Sequence, residues 1–269
     1  MKRQYLKMFS DDERQLKCKL DALFEEWKKS VGEPSKPVPL WFIPDGFYPN
    51  YLSQQVRILY IGRDAYDLYG TDDENGENTY IEKFIRQYVS GVMDNAQGVN
   101  GVKFHKMLIR VAYGLIHGCS WDKVPYASNI CDGGKIFEQE SFAFMNLCKW
   151  SHESYDENNS NTRWNADWDA INRFVEQSVT KKRNFILEEM DLLKPDVIIT
   201  MNFGPELIQR FSGSANVECL EETGDCFAYS LTTSVRKYLI LDPWHFSSIN
   251  KSENINIYTP LLKMLKKHL

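Results

Sequence analysis

Apolar residues recur every three or four positions in several stretches of this chain, as they do in helices that bury one face. The clearest stretch is 10–31, where Ser10 and Glu13 have the spacing of a capping box and Gly32 follows the last turn. The apolar positions of this stretch are Leu16, Leu20, Leu23, Phe24 and Trp27. The same periodicity predicts helices over 80–92, 102–117, 168–193, 204–211 and 255–269.

Four short apolar runs lie among the helical stretches. They span 56–62, 141–147, 196–201 and 237–241. Short uninterrupted apolar runs are typical of strands that are buried on both faces of a parallel sheet. Because these runs alternate with helices, the sequence predicts an α/β fold. We expect three α/β/α layers around a central, mainly parallel four-stranded sheet.

The remaining segments define the expected organisation of the chain. We expect residues 1–50 to form an N-terminal helix and a Pro-rich connector, and residues 51–269 to form the α/β domain. Acidic and polar residues predict a surface loop over 68–78 and an exposed insertion over 152–163.

The composition is that of an ordinary globular protein. Of the 269 residues, 43% are hydrophobic and 26% are charged, which excludes disorder, collagen and coiled coil as descriptions of the whole chain. No apolar run approaches the ~20 residues that span a bilayer, and the N-terminal residues lack the apolar core of a signal peptide. We expect a soluble, cytoplasmic protein without a membrane partner, and the sequence leaves its oligomeric state open.

Charge and cysteine content narrow the function classes further. The net charge of −5 argues against indiscriminate coating of nucleic acid, because such binding depends on neutralising phosphates. The six cysteines form no Cys-x-x-Cys pair, so we expect buried free thiols, no zinc site, no iron–sulfur cluster and no cofactor. Basic residues that would form either a local DNA-binding face or ordinary solvated surface are Lys103, Lys106, Arg110, Lys181, Lys182, Arg183 and Lys251.

Polar residues follow the predicted strands at the edge where sheets of this kind bind their ligands. Asp64 follows the first strand and Asn146 ends the second, while Asp242 and His245 follow the fourth. An acid, an amide and an imidazole at one edge are able to orient water, read the edge of a heterocycle and stabilise a developing anion. Each also has a structural alternative: the aspartates as caps, Asn146 as a turn residue and His245 as a core histidine.

Three of these segments resemble motifs of the uracil-DNA glycosylase superfamily. Residues 58–67, Ile-Leu-Tyr-Ile-Gly-Arg-Asp-Ala-Tyr-Asp, resemble its first motif, in which a strand ends in Gly-Gln-Asp-Pro-Tyr-His. Residues 144–147, Phe-Met-Asn-Leu, resemble its second strand, whose terminal Asn reads the base. Residues 242–247, Asp-Pro-Trp-His-Phe-Ser, resemble its His-Pro-Ser-Pro-Leu-Ser loop.

The resemblance implies a protein that binds a flipped, damaged or deaminated base in DNA and hydrolyses its N-glycosidic bond. Asp64 would orient water against the sugar carbon, and Tyr66 would wall the pocket beside the base. Asn146 would pair with the Watson–Crick edge of the flipped base. Phe246 would be the apolar wedge that enters the stack where the base has left.

The motifs depart from the family pattern at several positions. Arg63 replaces Gln, Ala65 replaces Pro, and Asp67 replaces the His that ends the first motif. Asp242 stands where the family has the His that hydrogen-bonds the leaving base, and an ionised carboxylate there would repel the departing anion. His245, three residues later, would supply the missing donor if the loop folds differently. Arg63, Asp67 and Asp242 are otherwise candidate pocket residues.

These departures leave two alternatives open. The first is a catalytically inactive nucleobase or nucleic-acid binding module on the same fold, in which Asp64→Ala would leave binding unchanged. The second is a hydrolase that uses Asp64 as a nucleophile on a small phosphorylated substrate. That chemistry normally uses a second Asp two residues later, where this chain has Tyr66.

Overall fold

The computed structural model describes residues 5–34, 41–66, 79–93, 98–132, 135–152 and 166–269. The side chains at positions 5, 6, 66 and 152 are not part of this description. The loop predicted over 68–78 lies outside the described residues, as does the predicted insertion beyond residue 152.

One sheet of seven strands forms the centre of the described structure. Its strands are β1 (Gly46–Phe47), β2 (Ile58–Tyr66), β3 (Ala143–His152), β4 (Val197–Ile199), β5 (Asn216–Glu222), β6 (Cys226–Thr232) and β7 (Lys237–Pro243). Their spatial order is β1-β3-β2-β4-β7-β6-β5. β2 pairs in parallel with both β3 and β4, and β4 pairs in parallel with β7. These four parallel strands correspond to the four apolar runs of the sequence.

The expected count of four strands is wrong because antiparallel strands extend both sides of the sheet. β1 pairs antiparallel with β3, while β5 and β6 form a hairpin whose second strand pairs antiparallel with β7. The hydrophobic pattern does not reveal β5, since most of its side chains are exposed. β1 has only two residues and lies in the Pro-rich segment.

Nine α-helices accompany the sheet within the same described ranges. They are α1 (Asp11–Ser30), α2 (Tyr80–Ser90), α3 (Lys103–Ile116), α4 (Ala127–Cys131), α5 (Ile136–Gln139), α6 (Trp168–Ser178), α7 (Phe185–Leu193), α8 (Gly204–Ser212) and α9 (Thr259–His268). α1 begins as predicted, because Ser10 and Glu13 exchange both hydrogen bonds of a capping box. Within these ranges, no helix has the length and apolar character needed to cross a bilayer.

The single helix predicted over 168–193 is wrong. α6 ends at Ser178, Val179 and Asn184 form an isolated β-bridge, and α7 starts after Asn184, whose side chain accepts a hydrogen bond from the backbone of Leu187. Between the helices, Thr180 Oγ1 accepts from the backbone N–H of Arg183 at 3.0 Å. Such local side-chain bonds compete with helix continuation.

The helices pack in two groups around the sheet. α1 contacts α6 and α7, and α8 contacts the same two helices, whereas α3 contacts α4 and α9. The parallel strands reach both groups. Tyr60 of β2 donates a hydrogen bond to the carbonyl of Leu108 in α3, while Lys149 of β3 reaches Glu189 of α7. Trp27 of α1 is fully buried, so the N-terminal helix belongs to the same hydrophobic core.

The cysteines are free thiols with mixed exposure. Cys131, Cys148 and Cys226 are buried, as the sequence predicts. The expectation is wrong for Cys18 and Cys219, which are exposed. Cys18 is exposed on α1, and Cys219 lies on the exposed strand β5.

Candidate functional site

Asp64 and Asn146 lie at the same edge of the sheet. Their strands are parallel neighbours, and Gly62 of β2 pairs in register with Asn146 of β3. Asp64 is two residues further along β2, so its Cα lies about 8 Å from that of Asn146, given the usual strand spacing and rise. β2 continues to Tyr66 and β3 to His152, so Asp64 lies within its strand rather than after it, and Asn146 does not end its strand as the sequence predicted. The central expectation from the sequence, an acid and an amide at one edge, is therefore met.

The carboxamide of Asn146 is buried and has an unused donor. The residue is 2% exposed, and among the described residues its Nδ2 has no hydrogen-bond partner. Gly62 leaves room for this side chain, because a Cβ at position 62 would stand 2.8 Å from Asn146 Oδ1. A buried donor without a partner loses free energy. A ligand with an acceptor atom at this position would restore the missing bond.

Burial strongly perturbs the carboxyl group of Asp64. The residue is 9% exposed. Loss of solvation raises the pKa of Asp64 to about 7, although a backbone hydrogen bond from Asp167 and the positive charge of Arg63 both favour its ionised form. A carboxyl group with a pKa near 7 exchanges protons readily at neutral pH, as a general base must.

His245 belongs to the same cluster through aromatic contacts. Its ring stacks on Phe104 with centroids 5.8 Å apart, and Phe104 meets Phe144 edge-on at 6.1 Å. A Cβ at position 62 would stand 2.8 Å from Phe144 Cζ, so Phe144 lies over Gly62 beside Asn146. The imidazole predicted from sequence is thus connected to the amide through two aromatic rings, those of Phe104 and Phe144.

The protonation of the His245 ring follows from its contacts. The backbone N–H of Ser247 donates to Nδ1 at 3.1 Å, so the neutral ring carries its proton on Nε2. Burial, and then the positive charge of Arg63, lower the pKa of His245 to about 4. At neutral pH this ring is an uncharged donor.

Arg63 hydrogen-bonds to the segment after β4, and its positive charge acts on both Asp64 and His245. Its Nη2 donates to the backbone carbonyls of Met201 at 3.3 Å and Asn202 at 3.2 Å. Its guanidinium lies 4.9 Å from the ring centroid of Trp168, which is 42% exposed at the start of α6. Arg63 therefore places a positive charge, fixed by these contacts, beside the site.

Asp242 has a structural role. The sequence allowed this role as one of two alternatives, the other being a residue of the site. The residue is 3% exposed. Its carboxylate accepts hydrogen bonds from Thr200 Oγ1 at 2.7 Å, the Phe203 N–H at 2.9 Å and the Gly204 N–H at 2.8 Å. These bonds join β7 to the turn that opens α8, so the carboxylate is committed to that turn.

The assignment of Phe246 as an exposed wedge is wrong. Its side chain is fully buried and meets the ring of Tyr60 edge-on at 5.8 Å. The apolar character that suggested a wedge serves the hydrophobic core instead. Three residues later, Ile249 is 92% exposed.

The side chains of two predicted site residues lie outside the described structure. Asp67 lies outside the described residues, and Tyr66 ends β2 with a side chain that is also outside the description. The backbone places Tyr66 at the same edge of the sheet, two residues beyond Asp64.

Internal contacts engage most of the candidate DNA-binding residues. Lys103 donates to the carbonyls of Ser248 and Lys251, which fastens the segment after β7 to α3. Lys106 Nζ lies 2.6 Å from Glu253 Oε1. The other candidates are Arg110, which lies 3.8 Å from Glu253; Arg183, which pairs with Glu188 and Glu26; Lys251, which lies over the Trp244 ring; and Lys181 and Lys182, which are exposed.

Some residues of the cluster give no clear signal in the sequence. Asp45, whose carboxylate accepts a hydrogen bond from the Asn146 backbone N–H, follows a proline in the connector. Phe104 lies within a helical stretch, and Trp168 begins one. Each reaches the site only through tertiary packing. Within the described residues, no group of three or more His, Cys, Asp or Glu side chains is arranged to hold a metal ion.

Comparisons with protein-family models, with curated proteins and with solved structures found no match to this chain.

Proposed function

We propose that this protein binds a flipped, damaged or deaminated base and hydrolyses its N-glycosidic bond, on a three-layer α/β/α fold of the uracil-DNA glycosylase type. The observation that carries the proposal is the position of Asp64 and Asn146 on neighbouring parallel strands, with the ring of His245 connected to them through Phe104 and Phe144. The two groups of helices, one contacted by Tyr60 of β2 and the other by Lys149 of β3, support the three-layer arrangement.

Each group of the cluster has a distinct chemical task. The Nδ2 donor of Asn146 binds an acceptor on the edge of the base, and Asp64 in its ionised form orients a water molecule toward the sugar carbon. The carbon–nitrogen bond breaks with its electron pair on the base, the water oxygen bonds to the sugar carbon, and Asp64 accepts the water proton. The low exposure of Asp64 strengthens its interaction with developing positive charge on the sugar.

His245 supplies the donor that the family has at the position of Asp242. Its neutral ring presents Nε2–H, and the departing base is an anion that needs such a donor. The carboxylate of Asp242 does not repel this anion in the way that the sequence suggests, because three hydrogen bonds hold it toward the turn that opens α8.

The direct test is base release from uracil-containing oligonucleotides, single- and double-stranded, followed by alkaline strand scission. We expect release by the parent protein and a loss of at least ~10²-fold in Asp64→Asn, judging by the usual contribution of a general base. Asp12→Asn, at an exposed position in the first turn of α1, is the matched control. No release and no retention of uracil-containing DNA by the parent would contradict the proposal.

A second candidate is a nucleobase-binding module without chemistry. The engagement of Lys103, Lys106 and Arg110 in internal contacts favours it, since few free cations remain among them to hold a DNA backbone. Binding of free uracil by the parent, unchanged in Asp64→Asn and without base release from uracil-containing DNA, would support this second function.

A further inference from the structure

A buried network of charged side chains lies directly behind Asn146. Asp45 Oδ2 accepts a hydrogen bond from the backbone N–H of Asn146 at 2.6 Å. The two carboxylate oxygens of Asp45 lie 2.6 and 2.8 Å from Lys149 Nζ. On its other side, Lys149 Nζ lies 2.8 Å from Glu189 Oε2 in α7. All three side chains are 0% exposed.

We propose that Asp45 is a positioning residue for the carboxamide of Asn146, and that Lys149 holds Asp45 in place for that task. This inference rests on the proposed function, in which Asn146 reads the base.

The position of Asp45 along β3 explains why a side chain is needed there. β1 pairs with β3 only at Phe144 and Ala143. Residue 43 then bonds to β3 again, through the Ile43 N–H to the Lys149 carbonyl at 2.8 Å. Between these points the edge of β3 loses its backbone partner, and Asp45 supplies the acceptor for the Asn146 N–H. The carboxylate of Asp45 therefore fixes the position of the Asn146 backbone opposite Gly62 of β2.

The charges of the network balance without solvent. Burial, followed by the nearby Asp45 carboxylate, raises the pKa of Glu189 well above its ordinary value, which favours its protonated form. In that form the network contains one ammonium, one carboxylate and one neutral carboxyl group. The Lys149 ammonium also lies 5.2 Å from the ring centroid of Trp27 and 5.5 Å from that of Phe24, which further stabilises the cation.

Stability alone does not account for this arrangement. Apolar side chains of similar volume often stabilise a core as well as a buried ion pair or better, because burying charges removes their hydration. What an apolar core would not provide is a strong acceptor fixed against the Asn146 N–H. Two additional contacts to Lys149 prevent the Asp45 side chain from rotating away.

Three variants separate positioning from stability. Asp45→Asn retains an acceptor oxygen but loses the charge that Lys149 holds. Asp45→Asn combined with Lys149→Met removes both buried charges and restores charge balance. Glu189→Gln is the matched control, since a carboxamide retains the donor and acceptor of a protonated carboxyl group.

Steady-state kinetics on a uracil-containing oligonucleotide and thermal unfolding are measured for each variant. We expect Asp45→Asn to raise KM about tenfold or more with a smaller change in kcat, because Asn146 contacts the base before and during the reaction. We expect the double variant to regain melting temperature but not KM, and Glu189→Gln to stay within about twofold of the parent in KM. Recovery of KM together with melting temperature in the double variant would overturn the proposal.

Hydrogen exchange at the Asn146 backbone amide gives a readout that does not depend on activity. We expect protection in the parent and in Glu189→Gln, and a loss of about tenfold or more in Asp45→Asn. Equal protection in Asp45→Asn overturns the inference even if the enzyme is active. If the parent neither binds nor cleaves uracil-containing DNA, the proposed function fails, and the exchange result still decides whether Asp45 holds Asn146.

Discussion

The side chain of Asn146 lies across Gly62, its partner in the register of β3 and β2. A Cβ at position 62 would stand 2.8 Å from Asn146 Oδ1 and 2.8 Å from Phe144 Cζ, which is closer than real side chains approach. Because Gly62 has no side chain, the amide of Asn146 is able to occupy the space above it.

We expect Gly62→Ala to displace the Asn146 amide and weaken base recognition. Overpacking of this kind costs about 1–3 kcal/mol of folding free energy, and loss of affinity for uracil-containing DNA is expected even where the variant remains folded. Gly224→Ala is the control, because a Cβ there meets nothing within 4 Å. Equal affinity in the two variants, measured by fluorescence anisotropy, would contradict the assigned role of Gly62.

The activity of the protein should depend on pH through Asp64. Its pKa of about 7 means that the ionised form, which orients water, increases between pH 6 and 8. We expect kcat/KM to rise through a midpoint near pH 7 and to level off above it. His245, with a pKa of about 4, stays neutral over this range. A rate that is flat from pH 5.5 to 8.5 would exclude Asp64 as the base.

Asp64→Asn should abolish activity while stabilising the fold at alkaline pH. The pKa of Asp64 is higher in the folded protein, about 7, than its ordinary value of 3.8, so its contribution to stability is present below pH 3.8 and is lost as the pH rises through 7. At about 1.4 kcal/mol per tenfold change in proton affinity, the penalty approaches about 4 kcal/mol at pH 8. Urea unfolding at pH 8 measures the gain, and an unchanged midpoint would contradict it.

Asp242→Asn should have the opposite effect on stability. The amide replaces one acceptor oxygen with a donor, so either Gly204 or Phe203 and Thr200 lose an acceptor at the turn that opens α8. A buried group left without its partner costs about 1–3 kcal/mol. We expect a lower melting temperature with unchanged activity at low temperature. A loss of activity without a loss of stability would place Asp242 in the chemistry.

The protein should lose stability in acid through His245 and His105. Burial lowers the pKa of His105 to about 3 and that of His245 to about 4, from an ordinary value of 6.5. Their contributions to stability are therefore present above pH 6.5 and are lost as the pH falls toward these lower values. We expect His245→Gln to show a smaller fall in unfolding free energy than the parent between pH 7 and 4.5. Parallel curves would contradict this.

Phe246→Ala should behave as a core deletion. Its side chain is fully buried against Tyr60, so we expect a loss of about 3–5 kcal/mol in the free energy of unfolding. Ile249→Ala, at a position that is 92% exposed, should stay within about 0.5 kcal/mol of the parent. Thermal unfolding of both variants measures this difference. A loss of stability in Phe246→Ala as small as that in Ile249→Ala would contradict the burial of the Phe246 side chain in the core.

The four parallel strands of the sheet could be predicted from the sequence. Four apolar runs are recognisable because strands buried on both faces exclude polar residues, and the capping box of α1 is recognisable because its spacing is local. Antiparallel β5 gives no such signal, since most of its side chains are exposed. The break between α6 and α7 depends on the β-bridge between Val179 and Asn184, which the helical spacing of apolar residues does not predict.

The candidate site likewise has features that the sequence predicts and features that only the folded structure shows. The sequence predicts Asp64, Asn146 and His245 as candidate site residues, because parallel strands and the segments after them meet at one edge of the sheet. Tertiary structure alone decided that Asp242 turns toward α8, that Phe246 is buried and that Asp45 bonds to Asn146. These outcomes depend on which distant groups satisfy a buried polar atom or fill a core volume, and no local pattern of residues specifies that choice.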